Sequence, residues 1–165
     1  MSDKPKFSWN QLVLFTRYAE HYINSKKGAE TKFTYALRRV LPQIVAHEPK
    51  LQEALADIDI ENCVTEKCNG SDGVIARDDK GNLVFTVAGA KLRNKQKTEH
   101  LTKPGYEIEP YFAHSELPAE LTVDQVLAFS GLVFSPDKLN EILTMLEDAA
   151  ADDTAQANGQ TILSQ

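Results

Sequence analysis

The chain has two cysteines, Cys63 and Cys68, and only one tryptophan and two methionines. Two thiols cannot build the disulfide framework of a small secreted scaffold. They suit a reducing compartment, so a cytoplasmic location is expected. Long apolar runs are missing too. The longest, Ala128-Phe129-Ser130-Gly131-Leu132-Val133-Phe134, spans seven residues, against about 20 for a membrane-spanning helix. No membrane association is expected. The opening residues Met1-Ser2-Asp3-Lys4-Pro5-Lys6 carry bases with no apolar core behind them, unlike a signal peptide. There is no glycine-rich phosphate loop and no dinucleotide fingerprint. Ser130-Gly131 has Ala128 where a nucleophile elbow wants Gly. Together these absences argue against an enzyme.

What is present is charge, unevenly placed. The net charge is −6, but Lys and Arg crowd the first 103 residues. Residues 1–46 hold eight bases against three acids, and residues 80–105 hold six against Glu99 alone. Residues 47–79 hold nine acids against three bases, and residues 106–165 hold eleven against Lys138 alone. Such segregation makes oppositely charged surfaces, which act on partners and encounter rates and not on fold.

Hydrophobic content of 42% and charge of 25% are ordinary for a soluble globule. The length suits one domain, expected over 1–150, with a flexible polar tail over 151–165. Ser8 and Gln11 form a capping box at the head of a first helix, with Phe7 and Leu12 at the staple positions. Leu12, Phe15, Ala19 and Tyr22 then share one face, and Lys26-Lys27-Gly28 reads as a stop. A second helix starts near Ala29, with Phe33, Ala36, Leu37, Val40, Leu41 and Ile44 at helical spacing. Pro42 should kink or end it, and Pro49 should open a fresh helix through Leu51, Ala54, Leu55 and Ile58.

The pattern then changes. Asn69-Gly70-Ser71-Asp72-Gly73 reads as a loop, and residues 73–87 as a β-hairpin with Gly81 at the positive-φ position of its turn. Residues 106–112 are a candidate third strand, kept to an edge by Pro110. Between them residues 90–102 predict a short, polar, exposed helix. Thr122 and Gln125 form a second capping box, with Leu121 and Val126 as staple. Ser135-Pro136 gives a cap and a first-turn proline, and Leu139, Ile142, Leu143 and Leu146 form the stripe behind them. The expected fold is α+β: helices packed on a small antiparallel sheet made of the 73–87 hairpin and the edge strand near 106–112.

Two basic clusters are candidate partner-binding sites. Lys91, Arg93, Lys95, Lys97 and Lys103, with His100 among them, could neutralise nucleic-acid phosphates. The stretch lacks an aromatic residue for base stacking, and the chain is acidic overall, so a solvated helix face is the plainer reading. Lys32, Tyr35 and Arg39, with Arg38, form the second cluster. Tyr35 and Arg39 stand one helical turn apart, where a cation–π contact can form, though plain surface decoration is the favoured reading.

Metal and carboxylate motifs fit poorly. Cys63 and Cys68 are separated by four residues with no second pair, and His100 and His114 are distant. Asp57, Asp59 and Glu61 alternate as in a calcium loop, but Asn62 stands where that loop needs Gly and Cys68 where it needs Glu. His47-Glu48 lacks the second His of a zinc-protease helix, since Leu51 occupies its place. No metal site and no cofactor are expected. Glu107 and Glu109 would share one strand face, as a glycosidase could use, though two acids on a solvated edge explain them as well.

The order of features also carries a resemblance. Gly28-Ala29-Glu30-Thr31-Lys32-Phe33-Thr34-Tyr35-Ala36-Leu37 opens a helix, and Glu61 and the Asp79-Lys80-Gly81-Asn82 turn follow. Tyr106-Glu107-Ile108-Glu109-Pro110 and Glu116-Leu117-Pro118 then lead to a final helix. Over about residues 28–134 the chain resembles small uncharacterised proteins encoded by tailed phages and prophages. That resemblance implies a binding or assembly role more than a metabolic one, and brings no catalytic residues with it.

The function expected from the sequence is therefore a non-enzymatic protein that binds another protein, an assembly or accessory factor. Nucleic-acid binding through residues 91–103 is the first alternative. A small hydrolase without a recognised motif is the second.

Overall fold

Ser8 starts the first long helix as its sequence directs. Its backbone N–H donates to Gln11 Oε1 at 2.9 Å, and the Gln11 N–H donates back to Ser8 Oγ at 3.3 Å. The computed structural model describes residues 4–25, 31–68, 71–113, 118 and 120–144, with the side chains of 66–68 and 71–73 left aside. Helix α1 (Trp9–Ser25) buries Leu12, Phe15, Ala19 and Tyr22, the stripe its spacing foretells, and Trp9 besides. The expected stop at 26–28, the loop residues 69–70, His114 and Glu116, Leu146 and the 151–165 tail lie outside the described residues.

Helix α2 (Lys32–Asn62) corrects one expectation. It runs for 31 residues without ending at Pro42 and without restarting at Pro49. Both prolines lie on its exposed side. There water can solvate the carbonyl whose helical partner each proline removes. Meanwhile Leu37, Val40, Ile44 and Leu51 stay buried on the other side, and that packing carries the helix through. Thr31 and Thr34 cap its start reciprocally, the Thr34 N–H donating to Thr31 Oγ1 at 3.2 Å and the Thr31 N–H to Thr34 Oγ1 at 2.9 Å.

The strands form two small antiparallel pairs. Strand β1 (Lys6–Phe7) will meet a later segment. Strands β2 (Thr65–Cys68) and β3 (Ser71–Ile75) pair with Thr65 opposite Ile75 and Glu66 opposite Val74. Residues 71–73, read from sequence as loop, are thus strand. Of the β-hairpin expected over 73–87 only the turn and an isolated bridge form: residues 73–75 pair with β2 instead, and residues 84–86 are not strand. Gly81 takes φ 82° and Arg77 bridges Leu83. Hydrogen bonds from the Asn82 side chain and backbone, and from the Lys80 N–H, hold the Asp78 carboxyl below its ordinary pKa. Three chain segments close on one another here: Val64 N–H donates to Val84 O, Val84 N–H to Ala76 O, and Ala76 N–H to Val64 O, at 2.8, 3.2 and 2.8 Å.

Helix α3 (Val87–Thr102) is capped by Thr86 and buries no residue fully. It is the polar, exposed helix expected over 90–102, begun three residues earlier. Its first turn lies tight on the end of α2. A Cβ on Gly89 would stand 2.6 Å from the Asn62 carbonyl oxygen, so only glycine fits there. After α3 comes β4 (Tyr106–Glu107). The edge strand expected near 106–112 is thus only two residues long, and it does not join the 73–87 segment as expected. It pairs with β1, Phe7 opposite Tyr106 and Lys6 opposite Glu107. Residues 111 and 113 then donate to the carbonyls of Leu132 and Val133.

Helix α4 (Val123–Phe129) carries the second capping box, Thr122 N–H donating to Gln125 Oε1 at 2.9 Å. A tight turn with Gly131 at φ 78° follows. A 3-10 turn over Pro136–Lys138 begins at Ser135, and residues 139–144 are helical with Ile142 buried. The core joins these parts through aromatic edges. Phe129 meets Phe15 and Phe33 at 5.5 and 5.6 Å between ring centroids, and Phe33 meets Tyr22 at 5.3 Å. The class is α+β, mostly helical, with small antiparallel strand pairs. No helix among the described residues is long and apolar enough to cross a membrane.

Candidate partner-binding surface

Helix α3 presents its bases in two directions. Arg93 and Lys97 stand one turn apart and both reach Asp59 on α2. Arg93 Nε donates to Asp59 Oδ1, and Lys97 Nζ lies 2.6 Å from the same oxygen. The Arg93 guanidinium also lies 4.9 Å from the centroid of the Phe85 ring. Beside them Asn62 Nδ2 donates to Gln96 Oε1. Partial burial raises the Asp59 pKa, but hydrogen bonds from Arg93 and Lys97, with their charges, outweigh it and hold the carboxyl below its ordinary range. Lys95 pairs with Glu99 at 3.8 Å on the outer face. Lys91 and Lys103 form no ion pair among the described residues. The solvated-face expectation therefore holds for Lys91 and Lys95 but not for Arg93 and Lys97, which join α3 to α2. A phosphate backbone would have to compete with Asp59 for those two cations.

Asp59, one of the alternating acids, is thus an ion-pair acceptor. Two other acids singled out from sequence are engaged as well. Glu107 pairs with Lys6 at 3.5 Å and Glu109 with Lys4 at 3.4 Å, across the β1–β4 edge. Cys63 is a free thiol whose Sγ donates to Ile60 O at 3.1 Å. No group of three or more His, Cys, Asp or Glu among the described residues could hold a metal ion.

The second cluster gains a residue. Tyr35 stands 53% exposed and Tyr111 41%. Their rings meet edge to face, 5.5 Å apart at 73°. The Arg39 guanidinium lies 5.9 Å from the Tyr111 centroid, so the cation–π partner is Tyr111 where sequence spacing suggested Tyr35. Lys32 lies one turn before Tyr35 and is exposed. Gln43, one turn beyond Arg39, fixes the segment that carries Tyr111. Its Nε2 donates to Glu109 O at 3.0 Å, and its Oε1 accepts from Glu109 N–H at 2.9 Å. The Tyr111 N–H donates to Leu132 O at 2.9 Å. Residues 31–47 contain no Asp or Glu, so this face of α2 is basic as well as aromatic.

A further apolar face went unread in the sequence. Leu14 and Leu127 are 47% and 51% exposed. With Phe7, Tyr18 and Leu132 they line a groove of about 330 Å3 between α1 and α4. The signal was there: Leu14 and Tyr18 form an i,i+4 pair beside the buried stripe, as do Val123 and Leu127 on α4. Each helix is more apolar than its core face requires. A wider depression of about 750 Å3 lies on the other side of α1, where Arg17, Glu20, His21 and Glu48 mix charges around Trp9.

Tyr111 was missed because its partner is remote. Residues 35 and 111 share no local pattern, and only the docking of the 106–113 segment on α2 unites them. Comparison with protein-family models, with curated proteins and with solved structures finds no match to this chain.

Proposed function

We propose that this protein works by binding another protein through the surface formed by Tyr35, Arg39 and Tyr111, with Lys32 at its edge. The observation that carries this is the exposed ring pair, held in place before any partner arrives. Tyrosine and arginine supply much of the binding energy at protein interfaces, because they offer large, stiff contact area and hydrogen-bonding tips. Arg39 steadies one ring, and the Gln43–Glu109 hydrogen bonds fix the strand behind it. Little ordering entropy is then lost on association. With no acid in residues 31–47, the surface fits a partner that presents carboxylates or carbonyls. The sequence resemblance to proteins of tailed phages and prophages supports an assembly or accessory role. Nucleic-acid binding through α3 is less favoured, because Arg93, Lys95 and Lys97 already have acid partners.

The test compares the full chain with a Tyr35→Ser/Arg39→Ser/Tyr111→Ser variant as bait in native host lysate treated with nuclease. The expected result is a defined protein retained by the wild type and lost by the variant, with purified partner binding reproducing the difference. Retention of the same proteins by both baits would refute the assignment. So would capture that nuclease abolishes.

A further inference from the structure

Lys50 and Lys103 come from α2 and from the end of α3, yet they face one cavity. It has a volume of about 220 Å3, and its remaining lining is Ala54, His100, Pro104, Gly105 and Tyr106. We propose that this cavity is a binding site for a small organic anion, a carboxylate or a phosphate ester with a short apolar body. The proposal is independent of the tyrosine surface.

Three observations carry it. First, no acidic residue among the described residues lines the cavity. The nearest acids along the chain on the α3 side are engaged elsewhere: Glu99 is held by Lys95 and Glu107 by Lys6. Lys50 and Lys103 form no ion pair among the described residues, so two lysines border the space with no acid there to neutralise them. A helix C-terminus attracts cations by itself, which could account for Lys103. It does not account for Lys50, in the middle of α2. The carbonyls at the end of α3 are also partly satisfied, since Lys103 N–H and Thr102 Oγ1 both donate to Glu99 O.

Second, the walls are built. The Tyr106 hydroxyl hydrogen-bonds His100 Nε2 at 3.0 Å, and the Tyr106 ring packs on Trp9, 5.2 Å between centroids, and on His47 at 5.6 Å. Burial raises the phenol pKa, so Tyr106 stays neutral and adds no negative charge. Ala54, Pro104 and the Tyr106 ring supply apolar surface for a ligand body. Third, the size is restrictive. At about 220 Å3 the space falls below the roughly 300 Å3 at which drug-sized sites begin, and Gly105 leaves open space where a side chain would stand. A lysine ammonium binds anions as a point charge without the fixed fork of arginine, which fits both carboxylate and phosphate.

Trp9 is the only tryptophan and touches Tyr106, so it reports on the cavity. The experiment titrates the full chain with benzoate and with phenyl phosphate, following Trp9 fluorescence and its indole N–H resonance. Saturable binding of at least one probe is expected, weakened at least about tenfold in a Lys50→Gln/Lys103→Gln variant. Both lysines are exposed, so the variant should keep its fold. Lys91→Gln, which removes an unpaired charge outside the cavity, should bind as the wild type does. The relative affinity of the two probes decides between carboxylate and phosphate. Absence of saturable binding, an unchanged affinity in the double variant, or an equal loss in Lys91→Gln would each overturn the site.

Discussion

Gln43 treats the backbone of Glu109 as a neighbouring strand. Its side-chain amide donates one hydrogen bond and accepts another, at 3.0 and 2.9 Å, bridging 66 positions of chain. One turn later His47 Nε2 lies 3.1 Å from Glu107 O. Helix α2 thereby completes the free edge of β4 and sets where Tyr111 stands.

Gln43→Ala should destabilise the protein by about 1–2 kcal/mol, the worth of two partly exposed hydrogen bonds. It should also loosen Tyr111 from Tyr35. Urea unfolding measures the first effect, and chemical-shift changes at both rings measure the second. A variant identical to wild type in both would show that the clamp does not position the segment.

Asp59 makes stability depend on acidity in a definite direction. Its folded-state pKa lies below the ordinary carboxylate value through Arg93 and Lys97, against the opposing effect of burial. A depressed acid contributes stability that is full above the unfolded pKa of about 3.9 and lost as pH falls through the folded value. Asp59→Asn should therefore be less stable than wild type at neutral pH, by about 1–3 kcal/mol for a half-buried pair losing its charge. The gap should close as both are acidified below about pH 4. Paired urea curves across that range test it, and a gap independent of pH would remove the electrostatic account.

Glycine-to-alanine changes should differ in sign at two sites. Within a helix, alanine is intrinsically better than glycine by about 1 kcal/mol. At Gly89 the added Cβ would stand 2.6 Å from the Asn62 carbonyl oxygen, and backbone cannot give way as a flexible side chain can. Gly89→Ala should be destabilising despite its propensity. At Gly105 nothing lies within 4 Å of the added carbon and φ is not positive. Gly105→Ala should be neutral or stabilising by up to about 1 kcal/mol, through a less entropic unfolded chain. Thermal melts of the pair decide the matter.

Local chemistry was legible in the sequence and remote pairing was not. The boxes at Ser8/Gln11 and Thr122/Gln125 are contacts between residues three apart, so their pattern is their structure. The stripe Leu12, Phe15, Ala19 and Tyr22 follows from helical period alone. The α+β class followed from the same signals. The break allowed for at Pro42 and the fresh start at Pro49 did not occur, because a proline's effect depends on which side of the helix meets water, a tertiary property. Tyr106 was recognised as extended, but its strand partner, Phe7, lies 99 positions away. Of the candidate site residues, Lys32, Tyr35 and Arg39 do share a surface. Tyr111 and Asp59, which change the meaning of Arg39, Arg93 and Lys97, could be found only once the chain had folded.

The two halves of the α3 charge set should therefore respond differently. Lys91 and Lys95 are exposed, and among the described residues Lys95 pairs with Glu99 alone. Replacing both with Gln should change stability by less than about 0.5 kcal/mol, as for solvated charges in general. Arg93 and Lys97 lie half-buried against Asp59, and Arg93 also covers Phe85. Arg93→Gln/Lys97→Gln should cost several times more, because it strands the Asp59 carboxylate and removes the packing of two long side chains. Added salt separates the mechanisms further. Screening acts strongly on exposed charges and weakly on a partly buried pair, so the larger deficit should persist at about 1 M salt. Equal effects from the two double variants, or a deficit erased by salt, would return Arg93 and Lys97 to the solvated face and leave their charges free for a phosphate backbone.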